Sequence, residues 1–310
     1  MRPLLPAILA VTLAAAPAAA QVQREVLAMG TRLALRIDGR GHEDACEAAL
    51  AEVARIEAAC STWNPDSAWS RLNAEGRMQL DPEWTRLLAD AKVWSTRTDG
   101  AFDPALGRLI DAWGLRRGAI TPVPAELEAA RDASGARLMG FDGDTVVLMH
   151  GAWVEEGGFL KGYALDRMKA RLTAGGAPGG LLDFGGQLLA WGSTVRVSIA
   201  DPKDRNRARI SFHLHEASLS SSGTSERGRH ILDPLSGRPC EAWGSVAVVM
   251  PSGFDADCLS TALYVMGPDR GLAWAESHGV AAAFLPNAGA PRLSKAFRAL
   301  HPTLTPTEQK

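Results

Sequence analysis

Two oxygen-bearing side chains, Asp257 and Thr261, lie four positions apart in the segment DADCLSTALYVMG, residues 255–267. The apolar residues around them have helical spacing, so both side chains project from one face of a predicted helix, one turn apart. Magnesium binds carboxylate and other oxygen ligands, and substrate phosphates and waters complete its shell. The pair is a candidate magnesium site. The same spacing also fits a helix that Asp255 or Asp257 caps, with Thr261 packed inside.

A second candidate site is the segment EEGGFLKGYALD, residues 155–166. Gly157 and Gly158 would let backbone N–H groups at the start of the following helix approach an anion closely. Lys161 in the first turn adds a positive charge. A phosphate would suit both features, and the alternative is a Gly-Gly turn with a solvated lysine.

His230 lies in a polar segment, SSSGTSERGRHILDPLSGRP, residues 220–239, directly before an apolar pair and the Asp233–Pro234 turn. A histidine held at such an edge could accept the proton of a hydroxyl nucleophile, although a single histidine can equally be structural. Trp63 in a turn-rich stretch offers a flat face on which a planar ring could stack, or it belongs to the core.

Several other chemistries are excluded by the absence of their motifs. The chain has no G-x-S-x-G elbow, G-x-G-x-x-G string, Walker A string, H-E-x-x-H or C-x-x-C pair. Its formal net charge of −2 indicates neither a nucleic-acid partner nor an anionic membrane surface. Any bound anion must therefore be held by local groups.

The elements that must position these residues alternate between helices and short strands. Apolar spacing predicts a helix over 42–60, and Asp-Pro pairs predict helix starts at Pro82 and Pro104. Further helices are expected near 159–172, 255–266 and 269–278. Strands are expected near 24–37, 145–154, 181–191, 194–200, 208–215, 217–221, 244–250 and 280–285. The elements show no regular βαβ repeat, so we predict an α+β fold with mixed sheets and packed helices in one two-lobed unit.

The first 20 residues have the pattern of a signal peptide. Arg2 precedes an apolar stretch, and Ala18–Ala20 forms a small-residue cleavage site. We therefore expect export to the periplasm, a domain over residues 21–300 and a disordered tail over 301–310. Cys46 and Cys60 lie on one predicted helix and cannot bridge each other, whereas a Cys240–Cys258 disulfide stays open.

Taken in order, eight blocks of the sequence resemble the ApbE family of FAD:protein FMN transferases. They are MGT (29–31), STW with DSAWSRLN (61–73), GAFDPALGRL (100–109), GGFLKGYALD (157–166), LLDFGG (181–186), VRVSIADP (195–202), SSSGTSERGRHILDPLSGRP (220–239) and ADCLSTALYVMG (256–267). The resemblance covers nearly the whole chain after residue 20, and the ordered set is far more specific than any single block.

The resemblance implies a role for each candidate residue. The positions matching the family's FAD contacts are Met29, Trp63, Ala101, Phe102, Asp103, Glu155, Lys161 and Leu232. Those matching its magnesium site are Gly158, Asp257 and Thr261, and His230 matches a histidine with a general-base or phosphate-contact role. Two departures are visible: Glu155-Glu156 stands where many members have Asp-Leu, and Trp63 stands where tyrosine is common.

The implied reaction is a magnesium-assisted transfer of FMN from FAD to a threonine hydroxyl of a target protein, with release of AMP. The expected partners are FAD and an exported or membrane-associated electron-transfer subunit, and no nucleic acid. Two alternatives stay open. Water could replace the threonine, which would make the protein an FAD pyrophosphatase, or the protein could be a non-catalytic FAD-binding assembly factor.

Overall fold

The structure is a computed structural model that describes residues 21–223 and 230–305. The expected signal peptide, residues 224–229 and the last five residues of the expected tail lie outside these ranges. The helices are α1 (Glu43–Cys60), α2 (Ala68–Glu75), α3 (Pro82–Arg97), α4 (Gly107–Ala112), α5 (Pro124–Asp132), α6 (Leu160–Ala174), α7 (Gly253–Ser277) and α8 (Lys295–Arg298). Interleaved helices and antiparallel strands confirm the α+β prediction.

The strands are short and alternate with these helices along the chain. They are β1 (Gln21–Ala28), β2 (Thr31–Asp38), β3 (Arg77–Gln79), β4 (Met139–Asp142), β5 (Thr145–Leu148), β6 (Gly180–Phe184), β7 (Gln187–Trp191), β8 (Val195–Ala200), β9 (Ala208–Leu214), β10 (Ala217–Gly223), β11 (Leu232–Asp233), β12 (Arg238–Pro239), β13 (Gly244–Met250), β14 (Ala281–Pro286), β15 (Arg292–Leu293) and β16 (Thr303–Leu304).

An eight-stranded antiparallel sheet forms the centre of the molecule, in the order β1-β2-β6-β7-β10-β13-β14-β15. Both faces of its middle strands are buried. On β13, Val246 and Val248 belong to one core cluster, while Ala247 and Val249 belong to another. Since successive side chains of a strand point to opposite faces, the continuous apolar run of β13 fits a strand buried on both sides.

Different elements cover the two faces. On the first face, α6 packs against α1 on one side and α7 on the other, and the three helices bury residues such as Val53, Leu165 and Leu263. Strands β8 and β9 with α8 cover the second face through Val197, Phe212 and Phe297. Smaller sheets, β3-β5-β4, β16-β9-β8 and β11-β12, lie beside this centre.

Several element boundaries differ from the sequence prediction. The α4 helix begins at Gly107 rather than Pro104, because the carbonyl groups of Pro104 and Ala105 accept hydrogen bonds from Glu155 N and Gly135 N and not from residues one turn further along the chain. The two helices predicted near 255–266 and 269–278 are confirmed as the two segments of α7, which are separated at Gly267, where φ is +76° and ψ is 174°, with Pro268 directly after it. Strand β5 ends at Leu148 and a short 3₁₀ turn follows.

The sequence also led to expectations for the C-terminal residues and for the cysteines. Thr303 and Leu304 pair with β9, so the expected disordered tail is ordered at its start, where backbone hydrogen bonds to a sheet edge hold it. All four cysteines are free thiols in the structure. Cys46 and Cys60 lie on α1, as expected. No helix in the described ranges combines the length and apolar character needed to cross a membrane.

Candidate active site

A cleft of about 580 Å³ brings together segments from distant parts of the chain. All but one of the predicted site residues line it. These lining residues are Trp63, Ala101, Phe102, Asp103, Glu155, Gly158, Lys161, His230, Leu232, Asp257 and Thr261. The exception is Met29, which packs against the main core from the β1–β2 turn, where its φ is +45°. Thr31, the first residue of β2, does line the cleft.

At one side of the cleft, α6 and α7 bring two charged groups together. Asp257 on α7 is 5% exposed. Its Oδ2 accepts a hydrogen bond from Gly162 N at 3.1 Å and lies 4.0 Å from Lys161 Nζ. The backbone donor and the ammonium both sit in the first turn of α6, where the helix dipole adds positive potential. This corner of the cleft therefore combines one buried carboxylate with one ammonium group and one backbone N–H donor.

The Thr261 hydroxyl lies one turn further along α7, on the same side as Asp257. A Cβ built on Gly158 would lie 3.4 Å from Thr261 Oγ1 and 3.3 Å from the Phe102 ring, so the backbone at Gly158 passes very close to the hydroxyl. A side chain at position 158 would therefore press on the Phe102 ring and the Thr261 hydroxyl, which would have to shift by a few tenths of an ångström. Carboxylate, hydroxyl and nearby backbone form the oxygen-rich corner that the sequence predicts.

This donor set fits a magnesium ion. Asp257 Oδ1 has no hydrogen-bond partner within residues 21–223 and 230–305, so it is available to a ligand from the cleft. The same ranges contain no group of three or more His, Cys, Asp or Glu that could hold a metal. Because Mg²⁺ commonly uses one or two protein carboxylates and completes its octahedron with waters and phosphate oxygens, a single carboxylate is chemically sufficient.

Three serines fix α7 on the sheet beside this corner. Ser260 Oγ lies 3.1 Å from Ser220 Oγ and 2.9 Å from Ser222 Oγ on β10, and it also donates to the Asp257 carbonyl at 3.1 Å. These hydroxyls tie the backbone of Asp257 to the end of β10. Sequence reasoning assigned no role to them, although the serine run 220–222 is visible in the sequence.

Asp103 and Phe102 shape the cleft wall through their own contacts. The Asp103 carboxylate accepts from Ala105 N and Ala136 N, each at 2.8 Å. Burial raises the pKa of Asp103, and these two donors oppose the rise. Phe102 packs edge-on against Phe159 with ring centroids 6.0 Å apart. Both side chains therefore hold the loop that lines the cleft.

Glu155, where this chain departs from the family pattern, forms an ion pair that sequence reasoning missed. Its Oε2 contacts Arg116 Nη2 and lies 3.4 Å from Thr62 Oγ1. Burial raises the pKa of Glu155 to about 7, and the neighbouring Glu156 adds to the rise, whereas Arg116 opposes it. Thr62 is held in turn by Glu156, which accepts from its backbone N–H at 3.1 Å.

Trp63 and His230, the two candidate residues with ring side chains outside the phenylalanine pair, differ in exposure. Trp63 is 63% exposed, with the Arg116 guanidinium carbon 4.6 Å from its ring centroid. His230 is half-buried and lines the cleft immediately before β11, and Leu232 on β11 is buried against Leu109. No local motif marks Arg116, which lies in the segment GLRRG, residues 114–118.

The chain is similar in sequence to known proteins over most of its length. The profile of the ApbE family matches residues 29–284. The FAD:protein FMN transferase of Haemophilus influenzae is 26% identical to the chain, and the match covers 91% of this chain and 92% of that protein. The FAD:protein FMN transferase of Treponema pallidum is 28% identical over 86% of this chain and 84% of its own length.

Two solved structures share the fold over nearly their whole length. The apo form of the flavinyl transferase ApbE of Pseudomonas stutzeri superposes with a TM-score of 0.83 at 30% identity, covering 90% of this chain and 96% of that one. The ApbE protein of Thermotoga maritima superposes with a TM-score of 0.85 at 26% identity, covering 90% and 99%.

Proposed function

Since this chain belongs to the ApbE family, we propose that it is a magnesium-dependent FAD:protein FMN transferase. The observation that carries the proposal is the corner formed by Asp257, Thr261 and Lys161, with Lys161 Nζ 4.0 Å from Asp257 Oδ2, inside a cleft of about 580 Å³. A carboxylate and a hydroxyl for a cation, next to an ammonium and a helix start for phosphate, suit a pyrophosphate substrate. The named relatives catalyse this type of transfer.

In the proposed reaction, a threonine hydroxyl of an acceptor protein attacks the FMN phosphorus of FAD. The new bond joins the threonine oxygen to that phosphorus, and the bond to the bridging pyrophosphate oxygen breaks, so AMP leaves with that oxygen. The hydroxyl proton passes to a base, for which His230 is the cleft-lining candidate. Lys161 and the first turn of α6 stabilise the negative charge that develops on the phosphate oxygens.

Asp257 and Thr261 would hold the magnesium ion, which would neutralise pyrophosphate charge when bound. The protein's other contribution is alignment, because phosphoryl-type transfer depends mainly on positioning and charge stabilisation. Ala101, Phe102 and Leu232, which all line the cleft, would supply apolar surface for the flavin and adenine rings.

The proposal is tested by incubating the purified protein with FAD, Mg²⁺ and a periplasmic and membrane fraction from a strain that lacks it. Covalently attached flavin is detected by fluorescence in a denaturing gel, and the acceptor is weighed by mass spectrometry. A mass gain equal to FMN minus water, with one AMP released per acceptor and loss of both on adding EDTA, supports the transferase.

Two other outcomes contradict it. Release of AMP that does not depend on the acceptor fraction would identify FAD hydrolysis. Tight retention of FAD with no AMP and no labelled acceptor would identify a binding protein.

We also infer that the protein works in the periplasm on an exported or membrane-associated electron-transfer protein. The pattern of residues 1–20 supports export. The mature protein is then expected to begin near Gln21, which intact-mass measurement of the periplasmic protein would establish. Retention of residues 1–20 in the cytoplasm would contradict this localisation.

A further inference from the structure

The guanidinium of Arg116 is fixed on the cleft wall by several contacts at once. Nη1 donates to the Thr62 carbonyl at 2.8 Å, and Nη2 contacts both Thr62 Oγ1 and Glu155 Oε2. The Arg116 side chain is 26% exposed, and that of Glu155 is 12% exposed. A charge-assisted pair that is mostly removed from water, with additional backbone and hydroxyl contacts, holds the planar group in one orientation.

The guanidinium carbon of Arg116 lies over the ring of Trp63. The guanidinium carbon is 4.6 Å from the ring centroid, which is within the range of a cation–π contact. Trp63 itself is 63% exposed although one face is covered by Arg116. The remaining surface of the indole is therefore open to solvent at the rim of the cleft.

An exposed tryptophan at a rim is a poor stacking surface unless something restricts its side chain. Ordering a free side chain on binding costs conformational entropy, and this cost is avoided when the side chain is already oriented. Neighbouring contacts also fix the backbone there, since Trp63 N donates to Ser61 Oγ at 3.3 Å and Thr62 is bonded to Glu156. Arg116 supplies the matching restraint on the indole itself.

We propose that Arg116 is a substrate-positioning residue that acts through Trp63. It holds the indole so that its open face forms a platform for a planar heteroaromatic ring of FAD, and Glu155 holds Arg116 in turn. The inference rests on the proposed FAD specificity of the cleft. It extends that function to three residues in contact, Glu155, Arg116 and Trp63. The glutamate at position 155, where many family members have aspartate, then has a role in substrate binding through Arg116.

The test is a double-mutant cycle on FAD binding, measured by calorimetry in EDTA so that no turnover occurs. Arg116→Gln keeps a donor for Glu155 but removes the charged planar group, and it is expected to raise the Kd for FAD about tenfold. Trp63→Ala is expected to raise the Kd by at least as much. The double variant should bind no more weakly than Trp63→Ala alone, because Arg116 acts only through the ring.

Further readouts separate positioning from loss of structure. Arg116→Gln should raise KM for FAD about tenfold with kcat changed less than about threefold, and Arg116→Lys should restore part of the affinity by keeping the charge. Arg117→Gln is the matched control, since Arg117 is the next residue, is 68% exposed and pairs with Asp111 away from the cleft lining. Its affinity should equal that of the wild type, and melting temperatures confirm that all variants fold.

Titrations with FMN and with AMP show whether the flavin or the adenine ring stacks on Trp63. Only the fragment whose ring stacks there should bind Arg116→Gln more weakly than the wild type. Unchanged FAD affinity in folded Arg116→Gln, or additive effects in the double variant, would overturn the inference while leaving the transferase proposal intact. A wild-type protein that does not bind FAD would instead remove the proposed function, and this inference with it.

Discussion

At the scale of single residues, Asp257 is the side chain on which the proposed chemistry depends most. It is buried, and two groups of α6 neutralise it: the Gly162 N–H at 3.1 Å and the Lys161 ammonium at 4.0 Å. Burying a carboxylate is costly unless such partners surround it. These two partners stabilise the negative charge of the Asp257 carboxylate, also when a negatively charged substrate binds beside it.

Replacing Asp257 by Asn keeps the size and the hydrogen bond from Gly162 but removes the charge. We expect FMN transfer and AMP release to fall by at least about 10²-fold, because the proposed magnesium ion would lose the Asp257 carboxylate. Quantifying AMP by chromatography measures the effect. Asp269→Asn on the same helix is the control, because Asp269 is exposed and pairs with Arg292. Wild-type turnover in Asp257→Asn would disprove the metal assignment.

Glu52 is a buried carboxylate that serves stability instead of chemistry. Arg55, Arg167 and Arg171 lie within 2.7, 3.1 and 3.0 Å of its oxygens. Hydrogen bonds from Arg55 first, and then from Arg171 and Arg167, lower its pKa from 4.5 to about 2, against the effect of burial. A folded-state pKa below the unfolded one gives stability that is present above pH 4.5 and lost as pH falls toward 2.

Glu52→Gln should therefore lower the free energy of unfolding at pH 7 by about 2 kcal/mol, a figure reduced for the partial exposure of the arginines. Urea denaturation at pH 7 and at pH 3.5 tests this, and the difference from wild type should shrink at the lower pH. Glu47→Gln on α1 is the control, since its pair with Arg24 is exposed. A difference that is the same at both pH values would contradict the assignment.

At the scale of elements, the site depends on how closely α6 approaches α7. A Cβ on Gly162 would lie 2.1 Å from the Gly253 carbonyl oxygen and 2.8 Å from Asp257 Cβ. No side chain fits there, so the two helices meet backbone to backbone. This contact sets the distance between the first turn of α6, which carries Lys161, and the carboxylate on α7.

Gly162→Ala should force α6 and α7 apart. We expect destabilisation of about 1–3 kcal/mol and loss of transfer activity, since overpacking shifts the backbone that carries Asp257. Thermal denaturation and the AMP assay report the two effects. Thr173→Ala, at an exposed position of the same helix, should leave both unchanged. If Gly162→Ala had the same melting temperature and the same rate of AMP release as Thr173→Ala, the close approach of α6 to α7 would not be needed for stability or activity.

At the scale of the whole molecule, the cleft joins segments that belong to different parts of the fold. Its lining includes the β10 end of the central sheet, α7, the segment after α1 and the β11 strand. A ligand that bridges these segments stabilises the folded state over the unfolded chain, because it binds only the former.

FAD at about 100 times its Kd should add about 2.7 kcal/mol of stability and raise the melting temperature by about 5 °C. Scanning fluorimetry read from tryptophan emission, with FAD and with riboflavin, measures the shift. Mg²⁺ should increase the shift in the wild type but not in Asp257→Asn. The absence of any shift with FAD would contradict binding in the cleft.

The sequence by itself determined the elements whose signals are local. Period-two and helical patterns located most strands and helices, and the Asp81-Pro82 pair marks the start of α3, where Asp81 Oδ1 accepts from Glu83 N at 2.9 Å. The ordered motif blocks also indicated the family and eleven residues of the cleft lining. The sequence indicates such elements because residues close together in the chain form the hydrogen bonds of a helix or turn and lie on the same face of it.

Only the tertiary structure decided the contacts between segments far apart in sequence. Asp103 resembles a helix cap, but its carboxylate bonds Ala136, 33 residues away. Arg116 finds Glu155 at a separation of 39 residues. Met29 matches a motif and yet lies outside the cleft lining, while Thr31 is inside. Nothing in the sequence near either residue indicates such a pair, because packing of the sheet and helices brings the two residues together. The contacts that form the cleft wall could therefore be identified only from the tertiary structure.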